Sequence, residues 1–145
     1  RDDDRALWLN IGEMNILFGR ILLGASALIF IAYGAICLYS PAIPAGIAGF
    51  EILSGDGFAE VSGMYGGLQT GIGLFCLLAF FKSDYYRSGL LVLALTMGSL
   101  ATARFVALLS IQDPITFYSY GALAFEWVTA ALALIAFIRA PHDPA

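Results

Sequence analysis

Charged side chains make up only 12% of this 145-residue sequence, against 60% hydrophobic residues. A soluble globular domain carries about a quarter charged residues, so water is not the solvent for most of this surface. Histidine is nearly missing: the single one, His142, lies in the C-terminal tail. No imidazole is therefore available inside the apolar body for a haem, a chlorophyll magnesium or a catalytic zinc. The two cysteines, Cys37 and Cys76, are expected to lie roughly 20 Å apart in height, too far for a disulfide, and read as small apolar core residues. The seven Lys and Arg are scattered and mostly flank the apolar runs, which sets nucleic acid aside. No glycine-rich phosphate loop, nucleophile elbow or paired-acid motif stands in a workable context. The expectation is a protein that is not an enzyme and has no cofactor, no metal and no nucleic-acid partner.

What the sequence does contain is four apolar runs longer than about 18 residues with hardly a charge between their ends. They predict an all-α, polytopic membrane protein: one membrane domain, 1–145, with spans at about 14–39, 58–81, 85–110 and 114–139. At about 1.5 Å per residue, such helices cross a hydrocarbon core of about 30 Å with some tilt. Ser40-Pro41 stops the first span, because proline cannot continue the hydrogen-bond ladder and restricts the residue before it. Asp56, in the turn Gly55-Asp56-Gly57, is the expected cap of the second span, and Ser83 or Asp84 that of the third. Asp113 followed by Pro114 predicts the start of the fourth, which ends near Arg139 and Pro141. Short turns make consecutive helices antiparallel, giving a four-helix transmembrane bundle.

Arg1, Arg5, Lys82, Arg87 and Arg139 lie in or beside the tails or the second turn, with Arg20 near the start of span one. The first and third loops carry none, so the positive-inside rule puts both termini in the cytoplasm. The setting expected is a bacterial inner (cytoplasmic) membrane, crossed several times. Trp8, Tyr85 and Tyr86 would then form an inner aromatic belt, with Tyr39, Tyr118 and Tyr120 in the outer one. Asp2, Asp3 and Asp4 read as a solvated tail. The first apolar run is too long for a cleavable leader and lacks a cleavage pattern, so the chain is expected to enter the membrane by its own first helix. The sequence begins at Arg1 rather than Met, which points to starting residues outside this numbering. The connection 40–57 is unusually apolar, with Ile43, Ile47, Phe50, Ile52 and Leu53 among prolines and glycines. It either packs over the helix ends or forms a lid over a ligand cavity.

Gly63, Gly67 and Gly71 recur every four residues in span two, with Gly66 and Gly73 beside them. Helices in lipid associate through close backbone approach, which small residues permit. Span two is thus the predicted central helix, its glycine face turned either to a neighbouring span or to another protein chain. Ala122, Ala124, Ala130, Ala131 and Ala133 give span four a similarly thin profile. Gln69 should find an interhelical hydrogen bond or a water, because an unpaired amide is costly in hydrocarbon.

Ionisable residues inside spans are expensive and face the bundle interior. Arg20 is near a span end and can snorkel. Arg104 and Glu126 start about 9 Å and about 18 Å below the outer interface. Their side chains lean toward their own helix N-termini, hence toward each other in antiparallel neighbours, and a buried ion pair is predicted. Glu60 is a possible second partner for Arg104, near the positive dipole end of its helix. This set either fixes helix register or lines a polar cavity in the outer half, walled by Tyr65, Gln69, Arg104, Glu126 and Tyr120.

Ala59-Glu60, the run Met64-Tyr65-Gly66-Gly67-Leu68-Gln69, the arginine of span three, the glutamate of span four and Ser40-Pro41 together resemble an uncharacterised bacterial family of small four-span membrane proteins, a domain of unknown function. The resemblance covers nearly the whole chain. It implies the polar set Glu60, Tyr65, Gln69, Arg104 and Glu126, and brings no established activity. Two functions remain open on the residues. One is a non-catalytic accessory or assembly subunit of a larger membrane complex, such as an energy-transducing one, with membrane lipids and other membrane subunits as partners. The other is a binder or carrier of a small lipophilic or anionic molecule around Arg104 and Glu126. A membrane-bound oxidoreductase subunit comes third.

Overall fold

The computed structural model describes the backbone of residues 2–141 and the side chains of residues 12–141. The expectations for the side chains of Arg1, Asp2, Asp3, Asp4, Arg5 and Trp8, and for His142, fall outside the described residues. Those residues form helices and connections, with no strand among them. Helix α1 is Asp2–Tyr39, α2 is Ala42–Ala48, α3 is Gly55–Val61, α4 is Leu68–Phe81, α5 is Tyr86–Ser110 and α6 is Phe117–Arg139. A π-helical turn, Ser62–Gly67, joins α3 to α4 without a break, and a 3₁₀ turn, Ser83–Tyr85, leads into α5. Four stretches of 23 to 28 residues, Gly12–Tyr39, Gly55–Phe81, Ser83–Ser110 and Phe117–Arg139, are long and apolar enough to cross a membrane. The chain is an all-helical, multi-pass membrane bundle.

The span ends at Tyr39, Phe81 and Arg139 fall where the sequence puts them, while the starts differ. Helix α1 already begins at Asp2, so the backbone of the acidic run is helical. Ser54, not Asp56, caps α3: its backbone is extended and its Oγ accepts from Gly57 N–H at 3.0 Å, which leaves Asp56 in the first turn. Neither Ser83 nor Asp84 caps α5. The 3₁₀ turn satisfies its N–H groups through the backbone, Tyr85 to Lys82 and Tyr86 to Ser83, and Ser83 Oγ accepts from Arg20 instead. Helix α6 starts three residues after Pro114. Thr116 is extended without a side-chain cap, and the Asp113-Pro114 pair belongs to the connection, a place proline also suits. The apolar connection contains a helix of its own, α2, closed by Gly49 in the left-handed region at φ 79°. Pro44 and Ala45 of α2 are buried while Ile43 and Ile47 are exposed.

Packing partners identify the topology. Along α1 and span two, Gly24 meets Phe80, Ile31 meets Gly73 and Leu38 meets Gly66, so the two run antiparallel. Along α5 and α6, Arg87 meets Ala140, Gly98 faces Ala130 and Arg104 meets Glu126, again antiparallel. These two tight pairs join through a core of Leu23, Ala27 and Phe30 from α1, Leu90 and Leu93 from α5, and Ala133 from α6. One end of the bundle, the terminal end, carries the end of α6 and the turn 82–85. The other, the loop end, carries α2 and the connection 111–116.

Helix α1, rather than span two, is the central element, packed against α4, α5 and α6. A Cβ at Gly63 or Gly71 would meet nothing within 4 Å, and one at Gly67 only Ser62 O at 4.0 Å, so this stripe faces outward and packs no helix of the bundle. Close approach occurs at Gly66 and Gly73 instead. A Cβ at Gly73 would sit 2.9 Å from the backbone nitrogen of Ile31, and one at Gly66 would sit 2.7 Å from Leu38 side-chain carbons. On α6, Ala130, Ala133, Ala136 and Ala140 are buried at helical spacing, whereas Ala124 and Ala131 face out.

Candidate functional site

Glu126 sits on α6 four residues from Ala122 and Ala130, on a face whose small neighbours let α5 come close. Its carboxylate is met by Arg104 of α5 through three contacts: Nε to Oε2 at 2.9 Å, Nε to Oε1 at 3.0 Å and Nη2 to Oε1 at 2.7 Å. This is the ion pair anticipated from the lean of the two side chains, held side-on so that both carboxylate oxygens are engaged. It is also the one salt bridge among the described residues. The Glu126 side chain is 5% exposed and that of Arg104 27%. The carboxylate is thus sealed while part of the guanidinium stays accessible. Of five guanidinium N–H donors, only those on Nε and one on Nη2 are spent. The Nη1 group finds no protein acceptor among the described residues.

The accessible part of Arg104 lines a cavity of about 240 Å³ to which all four spans contribute: Tyr33 from α1, Tyr65 and Gln69 from span two, Arg104 from α5, and Tyr118, Phe125 and Glu126 from α6. Beside it lies a larger cleft of about 680 Å³ between span two and α5, lined by Glu60, Met64, Leu68, Thr96, Ser99 and Leu100 among others. The two share Phe30, Tyr65, Gln69, Met97 and Leu100 and so lie side by side. Met64, Leu68 and Leu100 are themselves substantially exposed, so the cleft opens sideways between two helices. Only near the terminal end are span two and α5 joined by a tight turn, and toward the loop end they splay.

Four of the five residues of the expected polar set, Tyr65, Gln69, Arg104 and Glu126, meet in the smaller cavity. Glu60 does not pair with Arg104. It is exposed and stands at the wall of the larger cleft, six residues into its helical stretch and on the far side of Tyr65 from the arginine. Gln69 finds no interhelical bond: its Oε1 is buried without a hydrogen-bond partner at the junction of the two cavities. Tyr120 is not part of the lining. Tyr118 takes that role, being one turn before Ala122 and two before Glu126 on α6. Tyr33 was missed altogether, although it lies on α1 next to the glycine, Gly34, that meets Thr70 of span two. Phe50, in the connection after α2, brings its ring to 6.5 Å from that of Tyr65, so the apolar connection reaches the cavity mouth.

The model of a domain of unknown function, DUF4345, matches residues 18–137. The chain belongs to that family. The matched stretch takes in both cavities and every residue of the polar set. No curated protein and no solved structure matches the chain. The DUF4345 bundle therefore has to be read from its own geometry. That geometry gives a space with apolar walls, open toward the membrane, that narrows to a charge-compensated arginine with unspent donors, three tyrosines and an unpartnered amide oxygen.

At the terminal end, the DUF4345 chain carries a second polar cluster. Tyr86 is buried rather than part of an aromatic belt. Its ring fits over Gly19, and its hydroxyl donates toward the carbonyls of Asn15 and Ile16 at 3.4 Å. Arg20 does reach the span end as expected, where Nη2 donates to Ser83 Oγ at 3.1 Å. Arg87 Nη1 donates to Ala140 O at 2.7 Å, and the guanidinium lies 4.5 Å above the Phe137 ring, closing the C-terminus of α6.

Proposed function

We propose that this protein is a binder of a small lipophilic molecule, taken sideways from a bacterial cytoplasmic membrane through the cleft between span two and α5. Its polar end would accept hydrogen bonds from Arg104. One observation carries the reading: the Arg104 guanidinium is neutralised by Glu126, its Nη1 group meets no protein acceptor among the described residues, and Arg104 lines a cavity. An arginine that served register alone would spend its donors on protein acceptors, because an unspent N–H in hydrocarbon is costly. As the pair is neutral overall, the site suits a carbonyl or hydroxyl oxygen better than a full anion. Apolar walls with a few convergent polar groups are the usual make-up of a small-molecule pocket. The reading asks for no catalytic step.

Native mass spectrometry of the gently extracted protein tests it. A bound non-protein mass should appear in the wild type, persist in Gly71→Ala, and vanish in Ala122→Phe, which fills the smaller cavity, and in Arg104→Ala. Retention of the same mass by a folded Ala122→Phe bundle would refute it.

A second reading is favoured by one feature. The outward stripe of Gly63, Gly67 and Gly71 is a surface on which another helix can lie close, as an accessory or assembly subunit of a larger membrane complex requires. Tagged purification in mild detergent should then bring down a stoichiometric partner, lost on Gly67→Leu. A monodisperse monomer under every gentle condition would count against it.

A further inference from the structure

A third cavity, of about 150 Å³, lies at the terminal end where α1, the turn 82–85 and the end of α6 meet. It is lined by Ile16, Arg20, Ser83, Asp84, Tyr86 and Arg87, with Pro141 closing one side. At about 30 Å³ per water, the space holds on the order of five waters, the size range of a phosphate group. Its location is the end of three spans, the level of lipid headgroups.

Two guanidinium groups face this space, and both keep donors in reserve. Arg20 spends Nη2 on Ser83 Oγ, while its Nε is buried with no hydrogen-bond partner among the described residues. Arg87 spends only Nη1, on Ala140 O and Phe137 O, and its stacking on Phe137 holds the remaining edge in place. Because Ser83 Oγ accepts from Arg20, its own hydroxyl proton is free to donate. Helix α5 begins here without a side-chain cap, so the positive end of its dipole adds to the field. Against these stands one carboxylate, Asp84, which has no salt-bridge partner among the described residues. An acceptor-rich anion is the chemistry that would use the accessible donors of Arg20, Ser83 and Arg87. Beside the cavity, Leu17 and Ile21 of α1 and Ile138 of α6 are widely exposed and apolar. They give acyl chains a surface to lie on, which a free phosphate would not need.

We propose that Arg20, Ser83 and Arg87 form a binding site for the phosphate of an anionic membrane phospholipid, independent of the cavity around Arg104. Basic pockets between helices at the membrane surface hold anionic headgroups in this way.

The test is thermal unfolding of the purified full chain in mild detergent, titrated with phosphatidylglycerol, with phosphatidylcholine and with inorganic phosphate. Phosphatidylglycerol should raise the midpoint saturably, phosphatidylcholine should not, and phosphate at equal concentration should not. Arg20→Gln should weaken the apparent phosphatidylglycerol affinity at least tenfold. Ser83→Ala, a milder change for use if Arg20→Gln folds poorly, should weaken it several-fold. Asp84→Asn, which removes the opposing carboxylate, should tighten it. Equal responses to the two lipids, or lipid selectivity surviving in both Arg20→Gln and Ser83→Ala, would overturn the proposal. So would Asp84→Asn lowering the midpoint without tightening, since Asp84 would then be the structural partner of Arg20. Stabilisation by inorganic phosphate equal to that by phosphatidylglycerol would overturn the lipid as the source.

Discussion

Arg104→Ala removes all three contacts to the Glu126 carboxylate at once and leaves a 5% exposed acid without a hydrogen-bond partner. Two unit charges about 4 Å apart attract by about 4 kcal/mol at an effective dielectric constant of about 20. Breaking a buried pair from one side costs about 3–5 kcal/mol. The loss expected for Arg104→Ala is therefore about 3–5 kcal/mol. Glu126→Ala should cost less, about 2–3 kcal/mol, because the guanidinium left behind is 27% exposed and already opens on a cavity. Replacing both with leucine removes both burial penalties together, so the double variant should lie within about 1 kcal/mol of the wild type. The assay is reversible unfolding in mixed micelles by rising dodecyl sulfate fraction, followed by circular dichroism. A loss below about 1 kcal/mol for Arg104→Ala, a larger loss for Glu126→Ala, or simple additivity in the double variant would each refute this account of the pair.

The same unfolding titration separates the two classes of glycine. Gly73→Ala should cost about 1–3 kcal/mol, since its methyl would sit 2.9 Å from a backbone nitrogen that cannot yield. Gly71→Ala, in open space, should be neutral or stabilise by up to about 1 kcal/mol through helix propensity. Arg87→Ala should speed amide hydrogen exchange in the last turn of α6 several-fold, because Ala140 O loses its 2.7 Å donor; unchanged exchange would remove Arg87 as the cap. Cys37 and Cys76 are buried and unpaired, so both should resist maleimide in gentle micelles and react after denaturation. Rapid labelling of either in the folded bundle would contradict the packing of α1 on span two.

The four spans were legible because lipid imposes a length and an apolar composition that no other setting requires. Three span ends were legible because Ser40-Pro41, Lys82 and Arg139 are breaks in that composition. The pairing of Arg104 with Glu126 followed from geometry alone: antiparallel neighbours and a common lean toward the N-terminus. Helix starts were less legible. A cap depends on backbone angles that neighbouring groups decide, and Ser83 is engaged by an arginine 63 residues away. Tyr118 in place of Tyr120 is an error of helix phase, since Tyr118 stands eight residues, close to two turns, before Glu126 on α6, while Tyr120 stands six before it and falls on another face. Glu60 failed as a partner for Arg104 because two helices that touch at one end splay at the other, and spacing along a chain carries no record of splay.

Of the two orientations open to the glycine stripe, the outward one is found, for a reason that lies in span two itself. Its buried residues are Val61, Gly66, Gly73, Cys76 and Ala79. From Gly66 onward they recur at seven and three, the spacing of an α-helical face. The step from Val61 to Gly66 is five, which matches a π turn and no α-helix. The π turn over Ser62–Gly67 thus rotates the stretch before it against the stretch after it, and Gly66 within the turn meets Leu38 of α1 on the face where Gly73 meets Ile31. A reading at 3.6 residues per turn cannot follow that rotation, and it selects Gly63, Gly67 and Gly71, which are periodic but turned outward. The same turn holds Tyr65, whose ring lines both cavities, and it stands one turn before Gln69, whose oxygen has no partner. π turns are rare and concentrate where side chains must be re-aimed for a purpose other than packing. Here the re-aiming brings a tyrosine and an amide beside Arg104, whose Nη1 group has no protein acceptor among the described residues, which ties the irregularity of the helix to the cavity rather than to the core.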